Sequence, residues 1–334
     1  MTGLLTLNLF YPIPSAINPN SQAAGKRMLD WAVELGLIGS SPALQRRYAQ
    51  NGLLMGRAYP SASPEALQIA TDWSGWLCFL DDRCDEGDLR RRPDELQRIH
   101  ADYLAILEDG ALPRAGDALG RALYDLRGRM LRRGSRAWLM SFADDVKQYF
   151  DANRWEASNR AAGVTPGFMA YRSMRPYTSA VYTCFALLPI TDGLEYSEAL
   201  GRDRAIQELA RLASLVISYC NDLQSLGKEL RHGDVHNAVI VLMAERGLTQ
   251  AKAVELVTEL HNQEMRAFLA LEEQVVEGGF SRYGQRRELA GCLRSWMRGN
   301  FDWGNMTHRY HAQRDERARA RARAGASISI EASA

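Results

Sequence analysis

The sequence predicts an all-α protein, and two observations carry this prediction. Apolar residues recur at helical spacing along most of the 334 residues, and no pair of alternating apolar strands flanks an Asn-Gly or Asp-Gly turn. The breaks between the helices are short, rich in Pro, Gly or Asp, and followed at once by renewed helical spacing. We therefore expect one helical bundle, although the length alone is compatible with two domains.

Helices are predicted wherever the apolar spacing is regular. The segments cover residues 23–37, 63–82, 94–109, 135–160, 204–230, 235–247, 249–277 and 286–310. Ser63 before Pro64 and Glu65 is a good N-cap for the second segment, and Thr249 precedes a run of good helix formers. Residues 313–334 are rich in arginine and of low complexity, which predicts a flexible tail after a domain over residues 1–312.

The composition argues against several classes of function. Lys and Arg number 41 against 40 Asp and Glu, and this net charge of +1 disfavours a nucleic-acid binder with a broad basic face. The N-terminus has no basic stretch before an apolar core, and no apolar run is long enough to span a membrane. Five scattered cysteines without CxxC spacing predict reduced thiols in a cytoplasmic protein.

An acidic cluster closes the second predicted helix, at residues 79–86 (FLDDRCDE). On a helix, Asp81 and Asp85 lie within about 40° of each other and about 6 Å apart along the axis, so their charges repel. The helix dipole also disfavours carboxylates at a C-terminus. A cation such as Mg²⁺, which prefers hard oxygen ligands, would relieve both effects. A solvated helix end with Arg83 paired to an aspartate explains this stretch equally well.

A second polar cluster interrupts the strongly apolar helix over 204–230. Asn221, Ser225 and Glu229 stand at i, i+4 and i+8, so their oxygens form a stripe about 80° wide and about 12 Å long. Burying such groups without partners costs roughly 2 kcal/mol or more for each, and a divalent cation would satisfy all three. Lys228 adds a positive charge where a metal-bound anion could sit. A hydrogen-bond network without metal is the alternative interpretation.

Two clusters suited to Mg²⁺ on different helices predict a diphosphate held between them, because Mg²⁺ binds a few protein oxygens together with substrate phosphates. These residues resemble the motifs of class I terpene synthases, in particular the short bacterial single-domain type. DDRCDE is similar to the aspartate-rich motif, and NDLQSLGKE is similar to the NDxxSxxxE motif. Arg175, 46 residues before Asn221, resembles the diphosphate-sensing arginine, and Arg309-Tyr310 resembles the C-terminal Arg-Tyr pair. The resemblance covers about residues 10–312.

The resemblance implies an all-α bundle with a deep apolar cavity that opens where the metal motifs face each other. It implies three Mg²⁺ ions, with Mn²⁺ as a substitute. Asp81 would bridge two of them and Asp85 would help through water, while Asn221, Ser225 and Glu229 would chelate the third. The metal ions and the basic donors would stabilise the leaving diphosphate, so that an allylic C–O bond ionises. The implied donors to the diphosphate are Arg175, Lys228, Arg309 and Tyr310.

The resemblance also implies roles at a helix break and in the cavity. Thr178 corresponds to a linker residue and Ser179 to an effector residue, whose backbone carbonyl relays leaving-group departure or guides deprotonation. Trp303 matches a cavity tryptophan, whose ring would stabilise a carbocation by roughly 0.5–2 kcal/mol. Four further aromatic residues are candidates for the same role, with core packing as the alternative: Phe79, Trp76, Tyr182 and Phe185.

Farnesyl diphosphate is the expected substrate, because it is the commonest one among bacterial members of this size, and a sesquiterpene is the expected product. A diterpene synthase acting on geranylgeranyl diphosphate is the alternative. A prenyl-elongating transferase shares the fold, but such enzymes usually carry two DDxxD motifs, whereas the second motif here is NDxxSxxKE.

Two other classes of protein explain less of the sequence. A helical scaffold protein would leave the spacing of these motifs as coincidence. Nucleic-acid binding through the Arg-rich tail would be recognised by a strong dependence on salt that disappears when the tail is deleted. We expect a monomer or homodimer with an isoprenyl diphosphate as its partner, no nucleic acid and no membrane span.

Overall fold

The structure is a computed structural model that describes residues 8–39, 41, 42, 45, 48–194, 201–277 and 283–307. The prediction of an all-α fold is confirmed, since no strand occurs among these residues. No helix in this part of the chain has the length and apolar character needed to cross a membrane. The division into a domain over 1–312 and a tail stays a prediction.

The described helices follow one another with short connections. In chain order they are α1 (Ser21–Glu34), α2 (Asn51–Ala58), α3 (Pro64–Asp85), a 3₁₀ helix (Glu86–Arg91), α4 (Pro93–Asp109), α5 (Ala118–Leu131), α6 (Arg136–Ala162), α7 (Phe168–Thr178), α8 (Val181–Phe185), α9 (Leu188–Thr191), α10 (Arg204–His232), α11 (Ala238–Arg246), α12 (Gln250–Glu277) and α13 (Tyr283–Met306).

Helices α2, α5 and α7 are absent from the helices that the sequence analysis predicts. Two glycines in α2 and two in α5 lower the helix propensity of those segments, and Pro176 inside α7 is typical of a helix end. Packing against neighbouring helices stabilises them, because tertiary contacts commonly override weak local preference.

The long helices begin and end at residues with the chemistry that a cap requires. At the start of α10 the Asp203 carboxylate accepts hydrogen bonds from the backbone N–H groups of Ala205 and Ile206, at 3.0 and 3.4 Å. At its end Gly233 takes a left-handed conformation with φ of 64°. The same helix therefore runs unbroken through the whole NDLQSLGKE segment.

The largest apolar cluster surrounds α3. Its Trp73 and Trp76 rings stack with centroids 5.1 Å apart, and the Trp76 indole N–H donates to the Leu119 carbonyl at 2.9 Å. A smaller cluster gathers around α11, where Leu242 packs with residues of α7, α10 and α12. The second cluster lies directly behind the half of α10 that carries the polar stripe.

Helices α1 and α2 approach so closely that only glycine fits between them. A Cβ atom at Gly52 would collide with the backbone of Ser21 and Gly25. Close approach of the two backbones positions Met55, which belongs to α2 and lines the cavity described below. Glycine at 52 is therefore a requirement of the packing.

We expect Gly52→Ala to destabilise the protein by about 1–3 kcal/mol, because overpacking forces the two helices apart. Thermal or urea unfolding measures the loss. Gly291→Ala is the matched control, since a Cβ there meets no atom within 4 Å and the site is helical; it should gain about 0.5–1 kcal/mol. Equal effects at the two positions would contradict the assigned packing.

Candidate active site

A cavity of about 400 Å³ opens between α3, α6, α7, α10 and α13. On both α3 and α10 the apolar residues that line the cavity lie nearer the N-terminus of the helix and the charged ones nearer its C-terminus, so the charged residues lie at one end of the cavity. The charged and polar residues at this end, which we call the mouth, include Asp81, Glu156, Arg160, Arg175, Asn221, Lys228 and Glu229. The apolar residues below it include Leu54, Met55, Leu77, Val181, Ile217 and Trp296. The cavity thus combines a charged mouth with an apolar interior.

The polar stripe of α10 borders the mouth of the cavity. Asn221 and Glu229 line the cavity, and Ser225 lies between them, 2% exposed, with its hydroxyl donating to the Asn221 carbonyl at 2.7 Å. The Glu229 carboxylate accepts a hydrogen bond from the Asn237 amide at 2.6 Å. Burial and the neighbouring Asp222 raise the pKa of Glu229 to about 7.

This donor set fits a hard divalent cation. An amide oxygen, a hydroxyl and a carboxylate stand on one helix face, and all three offer the oxygen atoms that a hard cation prefers. In the described part of the chain, no three His, Cys, Asp or Glu side chains are grouped to hold a metal ion.

The aspartate-rich segment supplies Asp81 to the mouth. Asp81 is exposed and lines the cavity, whereas Asp82 accepts a hydrogen bond from the hydroxyl of Tyr48, which precedes α2. Tyr149 lines the same cavity, and burial together with the charge of Asp81 raises the pKa of Tyr149 well above its usual value. Asp85 ends α3, and its side chain lies outside the described residues.

Arg175 is fixed by a buried ion pair. Its guanidinium donates to one Asp222 carboxylate oxygen from Nε at 3.1 Å and from Nη2 at 2.8 Å, and to Asn221 Oδ1 at 2.9 Å. The other Asp222 oxygen accepts from the Tyr171 hydroxyl at 2.5 Å and from the Ala238 backbone N–H at 3.0 Å. Burial alone would lower the pKa of Arg175, but Asp222 raises it well above its usual value. Arg175 is therefore charged and held beside the polar stripe of α10.

Lys228 also lines the mouth, and the structure adds Arg160, which the sequence analysis does not identify. Arg160 donates to Glu156 at 3.2 Å and to Asp234 at 3.4 Å. Burial would raise the pKa of Asp234, but hydrogen bonds from His236 and the charge of Arg160 hold it well below its usual range. The sequence does contain a signal for this residue: Tyr149, Asn153, Glu156 and Arg160 stand at i, i+4, i+7 and i+11 and form a polar stripe on the face of α6 that lines the cavity.

The predicted helix break follows Thr178. Thr178, Ser179 and Ala180 all line the cavity, and Ala180 takes a left-handed conformation with φ of 58°. This conformation is costly for alanine. The buried Thr183 hydroxyl donates to the Ala180 carbonyl at 2.7 Å and accepts the Trp73 indole N–H at 3.0 Å. The left-handed residue is thus one position after the predicted effector.

Among the residues that the structure describes, one tyrosine and two tryptophans line the cavity. Trp303 is one of them, and its indole N–H donates to the Gln50 carbonyl at 3.0 Å. Tyr149 and Trp296 are the other two, and the sequence analysis does not single them out. Trp296 has ordinary core spacing on α13, which gives no signal of a cavity, whereas Tyr149 belongs to the polar stripe of α6 described above.

The other four aromatic candidates take part in packing around the cavity and are not among the residues that line it: Trp76, Phe79, Tyr182 and Phe185. Trp76 is fully buried against Trp73, and Phe79 packs edge to face with Tyr48 at 4.7 Å. The ring of Phe185 packs against those of Trp296 and Tyr182, with centroids 6.0 and 6.2 Å apart. Arg309 and Tyr310, the predicted Arg-Tyr pair, lie outside the described residues.

Residues 72–267 match the family described as terpene synthase family 2, C-terminal metal binding. The chain is 38% identical over 303 residues to a (+)-T-muurolol synthase of Roseiflexus castenholzii that cyclises (2E,6E)-farnesyl diphosphate, covering 90% of this chain and 93% of that one. It is 30% identical to a germacrene A synthase of Nostoc punctiforme, covering 93% and 97%. Its fold matches the crystal structure of SVS_A2, a protein from ancestral sequence reconstruction, with a TM-score of 0.82, 27% identity and 89% of each chain covered.

We expect Asp222→Asn to lower the free energy of unfolding by about 3 kcal/mol or more, because it leaves the Arg175 charge buried without its partner. Urea unfolding measures this loss. Asp151→Asn is the control, since Asp151 pairs with Lys147 at the surface, where its side chain is 48% exposed against 0% for Asp222. That change should cost less than about 1 kcal/mol. A similar small cost for both variants would contradict the buried pair.

Proposed function

Because the chain belongs to the class I terpene synthase family, we propose that it ionises farnesyl diphosphate and cyclises the resulting carbocation to a sesquiterpene, with release of diphosphate. This makes it a carbon–oxygen lyase acting on a phosphate ester. One observation carries the proposal: a single cavity joins the metal stripe and Arg175 at its mouth to an apolar interior. A relative at 38% identity that cyclises farnesyl diphosphate supports the choice of substrate.

The proposed cofactor is Mg²⁺, with three ions and with Mn²⁺ as a substitute. Asn221, Ser225 and Glu229 would hold one ion, and Asp81 with Asp85 would hold the others. When bound, the ions supply Lewis-acid stabilisation of the leaving diphosphate. The oxygen chemistry of the stripe and the match to a metal-binding terpene synthase family support this assignment.

The basic residues at the mouth bind the diphosphate in this proposal. Arg175 is already oriented by Asp222, so little conformational entropy is lost when its remaining N–H groups donate to phosphate oxygens. Lys228 contributes a second positive charge from the neighbouring helix. Arg309 and Tyr310 would join them from the segment that follows α13.

The helix break and the aromatic residues act on the cation. The Ser179 carbonyl is proposed as the effector and Thr178 as the linker to Arg175, whose Nη1 lies 3.5 Å from the Thr178 hydroxyl. Trp303 and Trp296 present their rings to the interior and would stabilise positive charge by roughly 0.5–2 kcal/mol each. Exclusion of water by the apolar wall lets the cation fold and cyclise before it is captured.

Two alternatives concern the substrate. A diterpene synthase would use geranylgeranyl diphosphate with the same mouth, and a prenyl-elongating transferase would add an isoprene unit instead of closing a ring. The mixed Asn, Ser and Glu composition of the second motif favours cyclisation over elongation. The cytoplasmic location and the choice between monomer and homodimer stay predictions.

The test is incubation with Mg²⁺ and, separately, the C10, C15 and C20 isoprenyl diphosphates. We expect diphosphate release and a cyclic C15 hydrocarbon or alcohol, detected by gas chromatography and mass spectrometry, from the C15 substrate above all. Chelation of the metal should abolish turnover, because the leaving group then lacks its charge partner. Cyclic products from the C20 substrate alone would favour the diterpene alternative.

Matched variants link this activity to the assigned residues. Asn221→Ala should lower turnover at least 100-fold with only a small change in the unfolding transition, because Arg175 loses its contact with the Asn221 amide but keeps both hydrogen bonds to Asp222. Gln148→Ala is the control on α6, since Gln148 is exposed, donates to the Asp144 carbonyl at 3.4 Å and is not among the residues that line the cavity; it should keep the turnover of the wild type. Full activity of the Asn221 variant would overturn the metal assignment.

We expect Trp303→Leu to shift the products toward less cyclised hydrocarbons, because it removes a ring from the cavity wall and keeps an apolar side chain. The distribution of products at equal substrate conversion measures the shift. Trp76→Phe is the control, since Trp76 lies in the core; its product profile should match that of the wild type. An unaltered product profile for Trp303→Leu would show that Trp303 only packs in the core and does not act on the carbocation.

A further inference from the structure

The apolar interior of the cavity contains an unexplained hydroxyl. Ser218 lies on α10 one turn before Asn221, lines the cavity and is 0% exposed. Its Oγ has no hydrogen-bond partner among the residues that the structure describes. A buried polar group without a partner is costly, and a water molecule is the usual partner in such a position.

The helix itself offers Ser218 a partner that it does not use. Serine in a helix commonly donates to the carbonyl four residues earlier, as Ser225 does to Asn221 at 2.7 Å. Ser218 makes no such bond in the described structure. Since Ser218 lines the cavity, its hydroxyl remains available to a small polar molecule inside it.

A second polar group stands on the adjoining helix. Asn300 of α13 is 7% exposed, lines the same cavity, and donates from its amide nitrogen to the Ile217 carbonyl at 3.4 Å. This contact places Asn300 beside the turn of α10 that carries Ser218. Its amide oxygen accepts no hydrogen bond in the described part of the chain, so it offers an acceptor to the cavity.

We propose that Ser218 and Asn300 bind a water molecule inside the cavity and deliver it to the final carbocation, so that the main product is a terpene alcohol. Ser218 supplies one donor and one acceptor and Asn300 supplies an acceptor, which meets the two to four partners that a buried water requires. This inference rests on the proposed function and specifies how its reaction ends.

The step balances with the molecules that the reaction provides. A lone pair of the water oxygen forms the C–O bond to the cationic carbon. The resulting oxonium then loses one proton to the released diphosphate, a base at the mouth of the same cavity. No oxidant or reductant takes part, and the product is a neutral alcohol.

Ser214 provides a matched control on the same helix. It lies one turn before Ser218, is equally buried, and also has a hydroxyl without a partner in the described structure. Ser214 is not among the residues that line the cavity. The two serines therefore differ in access to the cavity and share helix, burial and chemistry.

The experiment incubates wild type, Ser218→Ala, Ser218→Thr and Ser214→Ala with Mg²⁺ and the C15 diphosphate in water enriched in ¹⁸O. Product analysis gives the ratio of hydrocarbon to alcohol and the label in the alcohol, while diphosphate release measures ionisation separately. We expect a labelled alcohol as the main wild-type product and at least a tenfold rise in the ratio for Ser218→Ala. Diphosphate release should stay within threefold in all variants.

Ser218→Thr, which retains a hydroxyl, should keep the ratio within threefold of the wild type, and Ser214→Ala should keep it within twofold. Hydrocarbons as the main wild-type products, an unlabelled alcohol, or an unchanged ratio for Ser218→Ala would overturn the water site. An equal rise for Ser214→Ala would overturn it as well, since the effect would not depend on the cavity. Absence of diphosphate release from the wild type would instead overturn the proposed function, and the water site with it.

Discussion

The ion pair between Arg175 and Asp222 is the interaction on which the site depends. Asp222 is completely buried, and its carboxylate accepts hydrogen bonds from Arg175, from Tyr171 of α7 and from the N-terminal backbone of α11. A buried charge pair is stabilising only when its remaining hydrogen-bonding positions are filled, and here four donor atoms fill them. The Asp222 carboxylate thus joins α7, α10 and α11 and holds the Arg175 guanidinium at the mouth of the cavity.

The same arrangement orients the polar stripe of α10. Asn221 precedes Asp222 and accepts from Arg175, while Glu229 accepts from Asn237, the N-cap residue of α11. Helix α11 therefore supports both the arginine and the carboxylate from behind, through backbone and amide groups that do not titrate. Charge stays at the mouth and the interior stays apolar, which is the separation that ionisation of a diphosphate followed by carbocation chemistry requires.

The sequence predicts the parts of this site that lie within one helix. The 3.6-residue period alone puts Asn221, Ser225 and Glu229 on one face, and the structure retains that face. Contacts between helices depend on packing that no local pattern encodes. From the sequence alone, Arg160 on α6 is indistinguishable from a solvent-exposed arginine, but in the fold it pairs with Asp234. Trp76 is likewise a candidate to line the cavity, but in the fold it packs against α5 and donates to the Leu119 carbonyl. The sequence does not predict helix α7, because Pro176 interrupts the helical spacing of its apolar residues.

A crystal structure with Mg²⁺ and diphosphate tests the central claim most directly, namely that one mouth unites the metal stripe with Arg175. The account predicts an ion coordinated by Asn221, Ser225 and Glu229, and a diphosphate that accepts hydrogen bonds from Arg175 while Asp222 still pairs with that arginine. A diphosphate bound away from Arg175, or metal ions held without Asn221 and Glu229, would contradict the account.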